Sequence, residues 1–264
     1  MPILKETLAT IIGKINETPV AKKQLKKTAQ NPVEAYEFAL NVLQGRWPIA
    51  EKHIINGSNS EIIYFYARRV IRGRWPEAEP VIAKNPRWAY EYARQIIHGR
   101  FPVAEPHIAK DACWAYDYAM DVIYGRFPMA EKYIAKDPDV AYRYARNVLE
   151  KRFPEAEPVI AKSPEDAYVY AKNVIGGRWP EAEPTIAKDP EVATRYALAI
   201  IKGRWPEAEP VIAQSPAWAL LYATDIIRGR FPEAEEYLER SVYRHAYARN
   251  ALKRPWPEAG IYEL

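Results

Sequence analysis

The string Gly203-Arg204-Trp205-Pro206-Glu207-Ala208-Glu209-Pro210 returns, little changed, along almost the whole chain. A recurrence of this kind constrains a fold more than any overall composition does. Its Arg-aromatic-Pro core stands at Arg46, Arg74, Arg100, Arg126, Arg152, Arg178, Arg204 and Arg230, with a distorted copy at Arg254-Pro255-Trp256-Pro257. The first step is 28 residues and the six that follow are 26. A unit this short buries no core alone, so neighbouring units must stack, and the 264 residues read as one repeat array.

The copy from Asp189 to Lys202 shows how a unit is built. Asp189 is placed to cap a helix, Pro190 stands at the first helical position where its missing N–H is harmless, and Glu191 complements the positive helix end. Gly203 is expected to end this long helix in the left-handed conformation. A second, shorter helix should start at Pro206, two turns long and kinked at Pro210, which recurs as Pro80, Pro106, Pro158 and Pro184 but is Lys52, Lys132 or Glu236 elsewhere. The expected fold is therefore all-α, an α-solenoid of about nine short two-helix repeats of period 26 with capping ends. Residues 1–30 form an N-terminal helical cap, with Leu4, Leu8, Ile11, Ile12 and Ile15 at helical spacing; 31–257 form the array and 258–264 a tail. The polar stretch Asn56-Gly57-Ser58-Asn59 accounts for the longer first step.

Reading across the copies turns residues into rows. Ala89 and Ala93, with their equivalents, lie at i, i+4 and let helices approach closely, and Ile97, Ile123, Leu149, Ile175, Ile201 and Ile227 read as the matching core stripe. Tyr92, Tyr118, Tyr144, Tyr170, Tyr196 and Tyr222 join the core side. Asn41, Gln95, Asp121, Asn147, Asn173 and Asp225 form a polar row that suits hydrogen bonds between neighbouring units. The arginine row Arg74, Arg100, Arg126, Arg152, Arg178, Arg204 and Arg230, interleaved with Trp and Phe, is the pattern a groove for nucleic acid or a phosphate-bearing nucleotide would need. The carboxylates that follow it, such as Glu207 and Glu209, offset that charge and favour an internal Arg–Glu ladder.

Positions that change from copy to copy are the candidates for recognition. Arg87, Cys113, Asp139, Glu165, Glu191 and Ala217 make one such row, and Glu91, Asp117, Arg143, Val169, Arg195 and Leu221 another. His98, Tyr124, Glu150, Gly176, Lys202 and Arg228 make a third, expected on the same helix face. Trp218, Leu220 and Leu221 add apolar bulk toward the C-terminal end. Candidate partner-binding residues are accordingly Glu91, Asp117, Arg143, Arg195, Leu221, Trp218 and Arg228.

Net charge is +4, with basic and acidic residues mixed, unlike the segregated charge of a dedicated nucleic-acid binder. A lone Cys113 allows no intramolecular disulfide and no cysteine-based zinc site, and the four histidines show no HExxH, so neither metal nor cofactor is expected. No glycine-rich phosphate loop or nucleophile elbow occurs, and acids duplicated in every copy are what a scaffold has, so the chain is not expected to be an enzyme. No leader and no membrane span are read, so a cytoplasmic location is expected.

The αα plan resembles the TPR-like and Sel1-like helical solenoids in architecture, although the unit is shorter and the usual TPR residues are absent. The string GRWPEAEPVIAKDP with AYxYA is more specifically similar to short helical repeats encoded by tailed bacteriophages and environmental viruses, over about residues 31–257. That resemblance implies a viral accessory protein in the host cytoplasm that binds or inhibits a host protein, including one of host defence.

Overall fold

A computed structural model of the protein describes residues 19–263. The amphipathic positions Leu4, Leu8, Ile11, Ile12 and Ile15 lie outside the described residues. Among those described the chain is an all-α solenoid of repeated αα-hairpins, with no strand beyond one isolated bridge between Trp256 and Ile261. It divides into two compact units, Met1–Tyr133 and Ile134–Leu264, each built the same way.

Each long helix starts as α and finishes as π. In the copy led by Asp189, the aspartate side chain accepts the Val192 N–H at 2.9 Å, Pro190–Tyr196 is α-helical, and Ala197–Ile201 is π-helical. Asn31, Asn59, Asn85, Asp111, Asp137 and Ser163 cap their helices in the same manner, whereas Ser215 makes no side-chain cap. The wide final turn closes on one carbonyl: Ala197 O accepts the N–H of Lys202 at 2.7 Å and that of Gly203 at 3.4 Å. An i→i−5 turn carries an extra residue, so positions beyond Ala197 leave the i, i+4 face. That corrects the isoleucine row, since Ile97, Ile123, Leu149, Ile175, Ile201 and Ile227 are only half-buried. The core is made instead by the alanines, by Tyr92, Tyr118, Tyr144, Tyr170, Tyr196 and Tyr222, and by Trp75, Trp179 and Trp205, all nearly fully buried.

The expected left-handed glycine is corrected by one position. Lys202 has φ 59° and ψ 38°, and the same conformation is taken by Gln44, Arg72, His98, Tyr124, Glu150, Arg228 and Lys253, with Gly176 the one glycine among them. The third variable row is thus not a helix face but a series of exposed helix ends. A Cβ on Gly203 would meet nothing within 4 Å, and Lys151 and Arg254 occupy its position in other copies with the same N–H bond to an alanine carbonyl.

The second element obeys its prolines. Where the second proline is present the helix is a single turn, as in Glu209–Ala213 or Glu79–Ile82, because Pro210 and Pro80 have no N–H to bond back to the residue four before. Where lysine or glutamate replaces it, the helix runs from the first proline: Pro48–Asn56, Pro128–Ile134 and Pro232–Glu239.

Side chains other than glycine are strained in the left-handed region. Lys202→Gly is therefore expected to raise stability by about 1 kcal/mol and Gly176→Ala to lower it by a similar amount. Gly203→Ala should change it little; urea denaturation of the full chain followed by circular dichroism reads all three.

Candidate functional site

The residues that looked most like a ligand site, the arginines, are placed by a hydrogen-bonded node that recurs along the array. Arg204 stands just after the helix end, and the short turn begun by Pro206 brings Glu209 beneath it. Arg204 Nε and one terminal nitrogen donate to the two Glu209 oxygens at 2.8 and 2.7 Å, a fork-on-fork pair. The Tyr222 hydroxyl of the next long helix donates to Glu209 Oε1 at 2.9 Å and accepts the Trp205 backbone N–H at 2.6 Å. The Trp205 ring packs on Tyr196 of its own hairpin, centroids 5.1 Å apart. One motif thereby joins the hairpin that carries it to the hairpin that follows. The same pairs are Arg46–Glu51, Arg74–Glu79, Arg100–Glu105 and Arg126–Glu131 in the first unit, and Arg152–Glu157, Arg178–Glu183 and Arg230–Glu235 in the second.

Electrostatics follow from burial. The Glu209 side chain is 7% exposed and that of Arg204 53%. The hydrogen bond from Arg204 holds the Glu209 carboxyl below its ordinary range, against the opposing effect of burial, and Arg100 and Arg178 do the same for Glu105 and Glu183. Burial pushes the phenols of Tyr92, Tyr196 and Tyr247 up to about 12. Shifts repeated in copy after copy belong to a structural network rather than a singular reaction centre. Among the described residues, no three His, Cys, Asp or Glu side chains gather to hold a metal ion.

The polar row does link neighbouring units. Tyr90 donates its hydroxyl to Asp121, and the Asn173 amide donates to the Tyr142 hydroxyl at 3.0 Å. Arg94 and Arg146 donate to those same tyrosine hydroxyls from one turn further on.

The variable residues are partly outward-facing. Glu91 and Asp117 are half-buried in the first unit. In the second, Arg143 pairs with Asp139 at 3.2 Å, and Arg195 forks onto Glu165 of the preceding long helix at 2.8 and 3.0 Å while lying over the Tyr168 ring. Arg228 is exposed and shares a shallow polar hollow with Lys202, Gly203 and Asp225. Trp218 and Leu221 are brought together, with Ala217, Leu220, Thr224 and Asn250, around an apolar groove of about 360 Å³.

Reading by rows singled out Trp218, Leu220 and Leu221 as apolar bulk but not the groove they line, because the groove depends on a helix that is missing its first turn. The ninth long helix begins only at Arg244, so among the described residues no helical turn covers the outer face of Pro216–Leu221 at that level. The sequence signal was the step to Trp256, one residue shorter than the regular steps of 26.

Compared with known proteins, the chain matches no family model, no curated protein and no solved structure.

Two consequences for stability follow from the node. The carboxyls are depressed, so their contribution is present above the unfolded value of about 4.3 and is lost as pH falls through the folded one. The phenols are raised, so theirs is present below about 10 and is lost as pH rises through about 12. The melting temperature should be level near neutrality and fall on both sides. Tyr222→Phe leaves the buried Trp205 N–H unpaired and should destabilise by about 1–3 kcal/mol; chemical denaturation of wild type and variant measures it.

Proposed function

We propose that the chain is a non-catalytic repeat scaffold that binds a macromolecular partner through the variable positions of its long helices. The observation that carries this reading is the division of labour along the repeat. The recurrent Arg, Glu and Tyr, with the Trp or Phe that follows the arginine, are consumed in the node that joins one hairpin to the next, whereas Glu91, Asp117, Arg143, Arg195 and Leu221, at a single repeat position, change in charge and size and remain partly exposed. Extended arrays bind through such surfaces, each unit adding a few contacts. The resemblance to viral repeats points to a host protein as that partner. Nucleic acid or a nucleotide is the second reading, and it has one observation in its favour, the half-exposed guanidiniums of the arginine row. Any phosphate would have to compete with a carboxylate already forked onto each.

The test is capture by the tagged, full-length protein from host extract, comparing wild type with charge reversals at Glu91 and Arg228, neither of which is held in an ion pair among the described residues. Loss of the captured protein at unchanged melting temperature is the expected result; undiminished capture by both variants sinks the reading. Retention on heparin that falls with salt, together with excess absorbance at 260 nm, would move the assignment to nucleic acid.

A further inference from the structure

We propose that the groove along Pro216–Leu221 receives an acidic amphipathic helix of a protein partner. This rests on the scaffold reading and narrows it to one surface of the second unit.

The groove is the last, uncovered instance of the interface that builds the unit. Pro138–Tyr144 packs on Pro164–Tyr170, that helix on Pro190–Tyr196, and that one on Pro216–Leu221. Within the first unit the arriving helix fills its predecessor's face with an aromatic from its first turn, Trp88 on Tyr64 at 5.1 Å and Trp114 on Tyr90 at 5.6 Å. After Pro216–Leu221 no such turn arrives. The final turn Ala248–Leu252 packs on Tyr222–Ile227, but Val242 and Tyr243, where the first turn would stand, are 88% and 38% exposed. The slot is shaped for a helical turn and lacks one.

Its floor differs from every earlier face of the unit. Glu191 and Arg195 give way, at the same repeat positions, to Ala217 and Leu221, so the segment Pro-Ala-Trp-Ala-Leu-Leu carries no charge at all. The ion pairing that joins Arg195 to Glu165 has no counterpart there. An apolar groove between helices takes the apolar stripe of an amphipathic helix.

The rim sets the partner's charge. Residues 240–254 contain Arg240, Arg244, Arg249, Lys253 and Arg254, with His245 and no acid, and this segment borders the groove through Asn250. Arg240 pairs with Glu236, while Arg244, Arg249, Lys253 and Arg254 make no ion pair among the described residues. A second copy of this end would set basic rim against basic rim. A nucleic acid would satisfy the rim but leave Trp218, Leu220 and Leu221 uncovered. Glutamates and aspartates flanking a stripe of leucine and tryptophan satisfy both.

The probe is a fluorescein-labelled helical peptide of about 18 residues, with Leu and Trp at i, i+3, i+4 and i+7 and Glu on the remaining faces. It is titrated with the full-length protein by fluorescence anisotropy beside a version carrying Lys for Glu and a single-stranded oligonucleotide. The acidic peptide should bind at least about tenfold tighter than the basic one, and Leu221→Glu and Arg249→Glu should each weaken it by about tenfold or more. Arg249 is exposed, so its reversal reports on binding even if Leu221→Glu perturbs the fold. Equal affinity for both peptides, preference for the oligonucleotide, or indifference to both substitutions overturns the proposal. So does a dimer in sedimentation that Leu221→Glu dissociates, which would make a second copy the occupant. If capture from extract persists in both variants, the scaffold reading stands and this surface is not the one used.

Discussion

The hydroxyl shared between Glu209 and the Trp205 N–H is the contact on which the rest depends. Helix packing alone is tolerant of sliding, because rows of alanine and tyrosine fit one another at more than one register. A phenol at 2.6 Å from one particular backbone N–H is not tolerant. It fixes the height of Tyr222, and with it the long helix that carries Tyr222, relative to the hairpin before. Glu209 completes the arrangement because a buried carboxylate is stable only when its lone pairs are met, here by Tyr222 and by both donors of the Arg204 fork. Removing Arg204 or Tyr222 leaves the buried Glu209 carboxylate short of a donor, which gives the motif its resistance to change from copy to copy.

The same logic explains where change is permitted. The left-handed position at each helix end is the costlier place for a side chain, yet it carries Gln44, Arg72, His98, Tyr124, Glu150, Lys202 and Arg228, with Gly176 as the exception. These side chains point into solvent and touch none of the node, so their strain is borne singly by each unit and is not compounded. The neighbouring glycine, which looks obligatory when the chain is read by eye, meets neither a steric nor a conformational demand at Gly203.

Much of the architecture was legible because repetition multiplies a weak signal. One Asp-Pro pair is a modest hint of a helix start; the same pair or its analogue at Asn31, Asn85, Asp137, Ser163 and Asp189 fixes the phase of the long helices that carry it. The internal Arg–Glu ladder was legible from charge balance within the motif. Its third member was not, since Tyr222 lies 18 residues beyond Arg204 in sequence and belongs to another hairpin; only packing brings it near. The π-helical endings were equally hidden, because the choice between an i→i−4 and an i→i−5 bond turns on where the chain must go next. Their consequence, the half-burial of Ile201 and its equivalents, could not be read from spacing that assumes an α-helix throughout.

The apolar groove was hidden for a different reason: it is made by an absence. Trp218, Leu220 and Leu221 are ordinary core residues for a helix about to be covered, and line an open groove because the covering helix starts only at Arg244. In an array whose copies satisfy one another, what remains unsatisfied accumulates where copying stops. The apolar face that the eighth long helix offers and the unopposed cations of the ninth lie on adjoining elements there. A partner that supplies the missing turn and the missing acids would extend the solenoid by the same interactions that built it.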